Sequence, residues 1–325
     1  MEQEKLEKKV KEILYREGFE IENSVARKPG VELELGIYSS EKYSEGDVDH
    51  SKDKIFVDEG LEVEDGYTIE EEKDYDLPSF ELIGDIAIIN DLSGRDRNEA
   101  VEGILAHHDV KTILLKTEGL SGEFRVGSYE TLYGEETETV HKEHGYRFKV
   151  DPTKAYYSER FSTERERVAS QVKEGEKVLV MFAGVGPFAI LCSEKAEKVV
   201  AIEKNPEAYK YLAENIGLND VEDKVEVYCG DVKDIIPELD GRFDRVIMPL
   251  PESAIDFLPE AVEDICGEGF VHLYSFVEEE NYRPVIEEID EFMKDGGLNY
   301  EVRDRVRCGC KSPFEDRYCF DIEVL

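Results

Sequence analysis

The residues best suited to chemistry stand at a few points in the second half of the chain. Met181-Phe182-Ala183-Gly184-Val185-Gly186-Pro187-Phe188 joins one apolar run to an apolar helical segment. A glycine turn that feeds a helix N-terminus lets backbone N–H groups approach a ligand closely. The third glycine of the dinucleotide fingerprint is absent, so a purely structural tight turn is the competing reading. Nineteen residues beyond Gly184, Glu203 ends a second run, where a carboxylate can accept both hydrogen bonds of a ribose diol. Cys229-Gly230-Asp231 closes a third run and places Asp231 where it can accept from the exocyclic amine of an adenine. Among 78 acidic residues any one of these is weak evidence, but three at successive strand ends point together to an adenosyl-type ligand. A fourth run ends Met248-Pro249-Leu250-Pro251. That loop is rigid and suits the wall of an acceptor pocket, or it simply stops a strand and starts a helix.

Positioning these points requires a sheet. Apolar runs over 177–182, 198–203, 224–229, 243–250, 269–276, 300–308 and 317–325 predict seven strands, with helical segments between the first five and before the sixth. Those connections suit right-handed parallel crossovers. The last two strands are joined by about eight residues, too few for a crossover, so the final strand is expected to be antiparallel. An α/β fold with such a hairpin fits a Rossmann-like sheet of the class I methyltransferase kind better than the nicotinamide version. The hairpin and the Pro-x-Pro loop therefore favour S-adenosyl-L-methionine over a nicotinamide as the adenosyl ligand. Upstream, a helix is expected over 2–17, short strands over 31–38, 55–57 and 61–63, and an acidic linker over 67–77. A small α+β module follows, with strands over 83–90, 112–116, 122–133 and 137–150 and a helix over 97–107. The expected domains are thus 1–75, 76–150 and 151–325.

Charge is distributed unevenly over these parts. The 325 residues carry 40 Lys and Arg against 78 Asp and Glu, a net −38, which disfavours nucleic-acid binding at low salt. Strong apolar periodicity argues against disorder, so the excess reads as a solvated acidic surface of the kind found in halophilic proteins. Residues 107–173 escape it, with 11 basic and 12 acidic side chains and four of the six histidines. This strip is expected to face a polyanion, unless its balance reflects structural ion pairs. No run of 18 apolar residues and no signal-peptide core occurs, so a cytoplasmic protein with no membrane partner is expected. Six cysteines lack a framework spacing, and Cys308-x-Cys310 with Cys319 does not match the paired zinc pattern, so no metal is expected.

Glu123-Phe124-Arg125, Tyr157-Ser158-Glu159-Arg160-Phe161-Ser162-Thr163-Glu164-Arg165, the turn over 181–188 and the segment 246–254 together resemble one family. It is the archaeal and eukaryotic tRNA guanine-N1 methyltransferase that acts at position 37, beside the anticodon. The resemblance covers about residues 80–325. It implies a tRNA partner held by its anticodon arm, with residues 1–75 at the outer corner, and a monomeric enzyme. Arg125 is then the arginine at guanine O6 and Glu164 the general base. Phe182, Gly184, Gly186, Glu203 and Asp231 hold the donor, while Tyr157, Arg160, Pro249 and Pro251 line the target side. Two positions depart from the family pattern: Pro249 stands where many members have Asn, and Val180 where many have Asp. Glu164 also fits a plain structural role as a first-turn acid favouring its helix dipole. Transfer of the donor's aminocarboxypropyl group to a guanosine derivative at the same position is the alternative chemistry. A noncatalytic RNA-binding protein that kept the sheet is the third reading.

Overall fold

A computed structural model describes residues 75–325 apart from 123, 125, 240, 264 and 313, and before them only the backbone of short strands. The chain divides into two compact units, residues 1–76 and 77–325. In the first, Glu20–Glu22, Val25–Lys28 and Val31–Glu34 form an antiparallel three-stranded sheet. Gly36–Ile37, Ile55–Phe56, Glu62–Val63 and Tyr67–Glu70 form a four-stranded one. Tyr67–Glu70 corrects the linker expected there: its alternating Tyr, Thr, Ile and Glu pair with two neighbouring strands. The helix expected over 2–17 lies outside the described residues.

The second unit begins with the hairpin β1 (Phe80–Ile83) and β2 (Ile86–Ile89), helix α1 (Arg97–His107), β3 (Thr112–Ser121) and β4 (Val126–Tyr133). Asp96 caps α1 by accepting from the N–H groups of Asn98 and Glu99, which satisfies two of the free donors of its first turn. With α1 as crossover, β2 and β3 pair in parallel within a sheet ordered β4-β3-β2-β1. The hairpin β5 (Thr139–Glu143) and β6 (Tyr146–Val150) follows.

From α2 (Ser162–Ser170) onward, strand and helix alternate: β7 (Lys177–Met181), α3 (Pro187–Cys192), β8 (Lys198–Glu203), α4 (Pro206–Leu218), β9 (Val225–Cys229) and α5 (Val232–Ile235). Then come β10 (Phe243–Met248), α6 (Leu258–Glu263), β11 (Ile265–Glu278), α7 (Arg283–Asp295), β12 (Tyr300–Ser312) and β13 (Glu315–Val324). The sheet runs β9-β8-β7-β10-β11-β13-β12, parallel except for β13, which inserts antiparallel between β11 and β12. The seven expected strands are all present.

Side-chain alternation explains why β7 reads as a continuous apolar run. Val178 and Val180 point into one core, which also holds Phe188, Ile190 and Leu212 and extends to Ile83 and Phe148 of the smaller module. Leu179 and Met181 point into the other, with Met248, Leu273 and Phe320. Both faces are covered, as a parallel sheet requires. Val180, where relatives of the expected family carry Asp, is therefore a fully buried core residue. No helix among the described residues is long and apolar enough to cross a membrane.

Candidate active site

The strand order reverses at β7, and in open α/β sheets the ligand crevice lies beyond the carboxyl ends of the strands at that switch. A cleft of about 970 Å³ occupies this place. Its floor is the turn after β7. Phe182 and Gly184 both adopt positive φ, +57° and +59°, which lets the chain reverse sharply into α3. A Cβ on Gly184 would meet only the Tyr156 carbonyl at 3.9 Å, so this glycine leaves the cleft open for a ligand. Gly186 behaves differently. A Cβ there would press to 2.5 Å from Leu212, and Gly186 does not line the cleft; it serves helix packing, which corrects its assignment to the donor.

Glu203 and Asp231 stand at the ends of β8 and β9, both on the cleft wall. Glu203 accepts from the Gly184 N–H at 2.6 Å and from the Asn205 N–H at 2.7 Å. Burial pushes its carboxyl above the usual range, against those backbone donors that favour the charge. Asp231 caps α5 by accepting from the Lys233 N–H, and the Lys204 ammonium at 2.8 Å holds its carboxyl below the usual range. Phe182 meets Phe257 edge to face at 5.0 Å, closing the wall beside them. These groups fit an adenosine: a turn without side chain, two carboxylates and an aromatic face.

Across the cleft stand Pro249, Pro251 and Arg160, with Phe124, Tyr129, Tyr156 and Phe161. The charge-balanced strip 107–173 thus supplies much of the target side. Arg160 is exposed and only loosely paired with Glu81 at 3.6 Å. Arg125 lies outside the described residues, between Phe124, which lines the cleft, and β4.

Tyr157 touches the cleft, yet its hydroxyl turns inward, donating to Glu143 at 2.6 Å beneath the Arg165 guanidinium. Arg165 in turn donates to both oxygens of Glu143. Burial therefore raises the Tyr157 hydroxyl pKa far above its usual value. Its neighbour Tyr156, 38% exposed, presents the larger aromatic surface to the cleft, a residue that the sequence reading missed.

Glu164 is held apart from the cleft in the free protein. It is 6% exposed and does not line the cleft. Both its oxygens accept from Arg167, at 2.7 and 2.9 Å, and Oε1 also accepts from the Tyr274 hydroxyl at 2.7 Å. Arg167 goes on to Asp321, at 2.6 and 3.2 Å. Asp321 accepts from His272 Nδ1, whose Nε2 accepts from Arg245, itself paired with Glu176. An imidazole accepting at one nitrogen and donating at the other is neutral, and burial lowers the His272 pKa accordingly. His272, Cys319 and Asp321 lie close enough to hold a metal, but Arg245, Arg167 and Asp321 already occupy their donor and acceptor atoms.

A doubly wound sheet with this strand order, a glycine turn at its switch point and an acid at the end of the next strand defines a class I methyltransferase fold that uses S-adenosylmethionine. The profile of the TRM5/TYW2 methyltransferase domain matches residues 139–302, and that of the TYW2 N-terminal domain matches residues 65–137. The tRNA (guanine(37)-N(1))-methyltransferase Trm5b of Pyrococcus abyssi is 42% identical over 69% of this chain and 68% of its own. The tRNA(Phe) (4-demethylwyosine(37)-C(7)) aminocarboxypropyltransferase of Methanocaldococcus jannaschii is 37% identical over 69% of this chain and 90% of its own. Among solved structures, the complex of aTrm5 with tRNALeu superposes with a TM-score of 0.68 at 33% identity, covering 75% of this chain and 71% of that one. TYW2 of M. jannaschii in complex with AdoMet gives 0.59 at 30% identity, covering 76% and 99%. The chain belongs to the TRM5/TYW2 methyltransferase family.

Proposed function

We propose that this protein transfers the methyl group of S-adenosylmethionine to N1 of guanosine 37 in tRNA. The observation that carries the reading is the division of one cleft: carboxylates at β8 and β9 on the donor side, arginine and aromatic side chains from residues 124–161 on the other, and the open Gly184 turn between them. The likeness to Trm5b and to the tRNA complex supports the substrate.

The bound donor supplies an electrophilic methyl on a positively charged sulfur, and the residues must do the rest. Guanine N1 bears a proton, so its lone pair is free only once that proton leaves. As it leaves, negative charge spreads to O6, and a guanidinium held there in a dry pocket stabilises the transition state by roughly 3 kcal/mol, as at an oxyanion site. Arg125 is proposed for this role, and Glu164 for the base, which typically contributes about 10² to 10⁴ in rate. Glu164 takes the proton only by releasing Arg167, so RNA binding must supply that exchange. Tyr156, Arg160, Pro249 and Pro251 orient the flipped base for in-line attack. Glu203 and Asp231 hold the ribose and adenine.

The TYW2 N-terminal match over residues 65–137 favours a second reading, transfer of the aminocarboxypropyl group to a position-37 guanosine derivative. Incubating the protein with donor and a tRNA transcript with or without guanosine 37, at several KCl concentrations, separates the two by product mass. A product heavier by one methylene supports the first reading, one heavier by an aminocarboxypropyl group the second, and no transfer at any salt overturns both. Residues 1–75 are proposed to contact the outer corner of the tRNA and the protein to act as a cytoplasmic monomer. Its acidic surface is proposed to be an adaptation to concentrated salt, in a halophilic archaeon.

A further inference from the structure

Among the described residues of the second unit, three arginines are more than nine-tenths buried: Arg165, Arg245 and Arg317. Arg165 holds Glu143 and Arg245 holds Glu176. Arg317 holds no carboxylate among the described residues, in a chain with 78 of them. Its guanidinium is instead stacked, 4.2 Å over the Phe161 ring and 5.0 Å from that of Tyr274. Phe161 in turn lies on Gly309, where any Cβ would come within 2.9 Å of its ring. One terminal nitrogen donates to the Pro249 carbonyl at 3.3 Å, and Nε has no partner. The column Gly309–Phe161–Arg317–Tyr274 therefore fixes a cation on the wall of the active cleft without neutralising it. A buried charge left in this state is costly unless a ligand compensates it.

Its place in the sheet indicates which anion. Arg317 pairs with Phe276 at the carboxyl end of β11 and with Gly309 of β12. The guanidinium lies on Phe161, the residue after Arg160, and reaches the Pro249 carbonyl, so it stands among the residues that line the target side of the cleft and away from Glu203 and Asp231. The anion that enters on that side is the substrate's own backbone. We propose that Arg317 binds the phosphate beside the flipped nucleoside, so that the target base enters with its phosphate fixed against β13. This inference rests on the RNA reading given above, and it deepens that reading by naming the group that anchors the substrate.

The test measures binding of a tRNA transcript to the full chain over a range of KCl, with donor affinity measured separately by calorimetry. Arg317→Met keeps an apolar chain between the two rings. It is expected to weaken RNA binding about tenfold and to make the slope of log K against log[KCl] shallower by about one. Donor affinity should be unchanged. Arg317→Lys keeps the charge but not the planar fork, and is expected to retain the slope while losing part of the affinity. If Arg317→Met does not fold, Arg317→Gln carries the same readout. An unchanged slope in the neutral variants overturns the proposal, as does loss of donor affinity with RNA binding intact, which would place the anion on the donor. Binding is read without turnover. A changed slope with no transfer in the wild type therefore sinks the assigned reaction and leaves the phosphate site standing, whereas transfer with an unchanged slope does the opposite.

Discussion

Glu203 and Gly184, nineteen residues apart, are joined by a 2.6 Å hydrogen bond from the N–H of the turn to the carboxylate that ends the next strand. The bond ties the open floor of the donor site to its wall, so both are in place before the donor arrives. Glu203→Ala removes the acceptor proposed for the ribose and releases the turn together. A lost hydrogen bond to a charged group is worth about 1.5–3 kcal/mol. Donor affinity by calorimetry should fall roughly 10- to 100-fold, with RNA affinity retained. Donor binding that survives within error would remove Glu203 from the ribose.

Glu164 is committed to Arg167 and Tyr274 in the free protein, so its substitution should be felt in stability as well as rate. Glu164→Gln leaves Arg167 with Asp321 alone. Removing one partner from such a buried pair costs about 3 kcal/mol. In a unit of this size that lowers Tm by roughly 6–12 °C. Calorimetric melting checks it. An unchanged Tm with transfer reduced about tenfold or more would show a purely catalytic residue instead.

The His272–Asp321 pair sets the acid limit of the fold. Burial lowers the His272 pKa below its ordinary 6.5, so its stabilising contribution is complete above that value and is lost as pH falls toward the folded pKa. Opposing burial, the hydrogen bonds from His272 and Arg167 bring the Asp321 carboxyl below its ordinary 3.8, and its contribution is lost further into acid. Tm is therefore expected to fall steadily on acidification from pH 6.5, with the first part of the fall absent in a His272→Gln variant. A Tm that holds level from neutrality to about pH 5 would rule out a neutral, buried His272.

Salt should act on the whole chain. A net charge of −38 opposes compaction, and the repulsion is screened as the Debye length shrinks from about 10 Å at 0.1 M to about 3 Å at 1 M. Raising KCl toward molar concentrations is expected to raise Tm, while RNA affinity falls along its phosphate slope. Tm that drops or stays level with KCl would remove the salt adaptation proposed for the surface.

Much of this was legible in the chain itself. The strands of the large sheet read as continuous apolar runs because helices cover both faces, and α1 stands over 97–107 as expected. The glycine turn and the strand-end position of Glu203 were also readable, since both sit at the ends of predicted strands with short, fixed spacing. The two adjacent tyrosines could not be told apart in the chain alone. Tyr156 and Tyr157 stand in an irregular segment with no period to orient them, so nothing in the sequence showed that Tyr157, which touches the cleft, turns its hydroxyl inward while Tyr156 stays exposed. The strand at Tyr67–Glu70 was missed because its acids resemble a linker, and only pairing with neighbours makes it a strand.

By itself the sequence determined the local events: which runs become strands, where the glycine turn falls, and that the last strand must double back. These depend on spacing and on side-chain polarity within a few residues. Tertiary structure alone decided the insertion of β13 between β11 and β12, and with it the fates of Arg317 and Glu164. Arg317 reaches the Pro249 carbonyl 68 residues away, and Tyr274 reaches Glu164 across 110. No periodicity encodes such partners, because a buried charge is assigned its neighbour only when distant strands close around it.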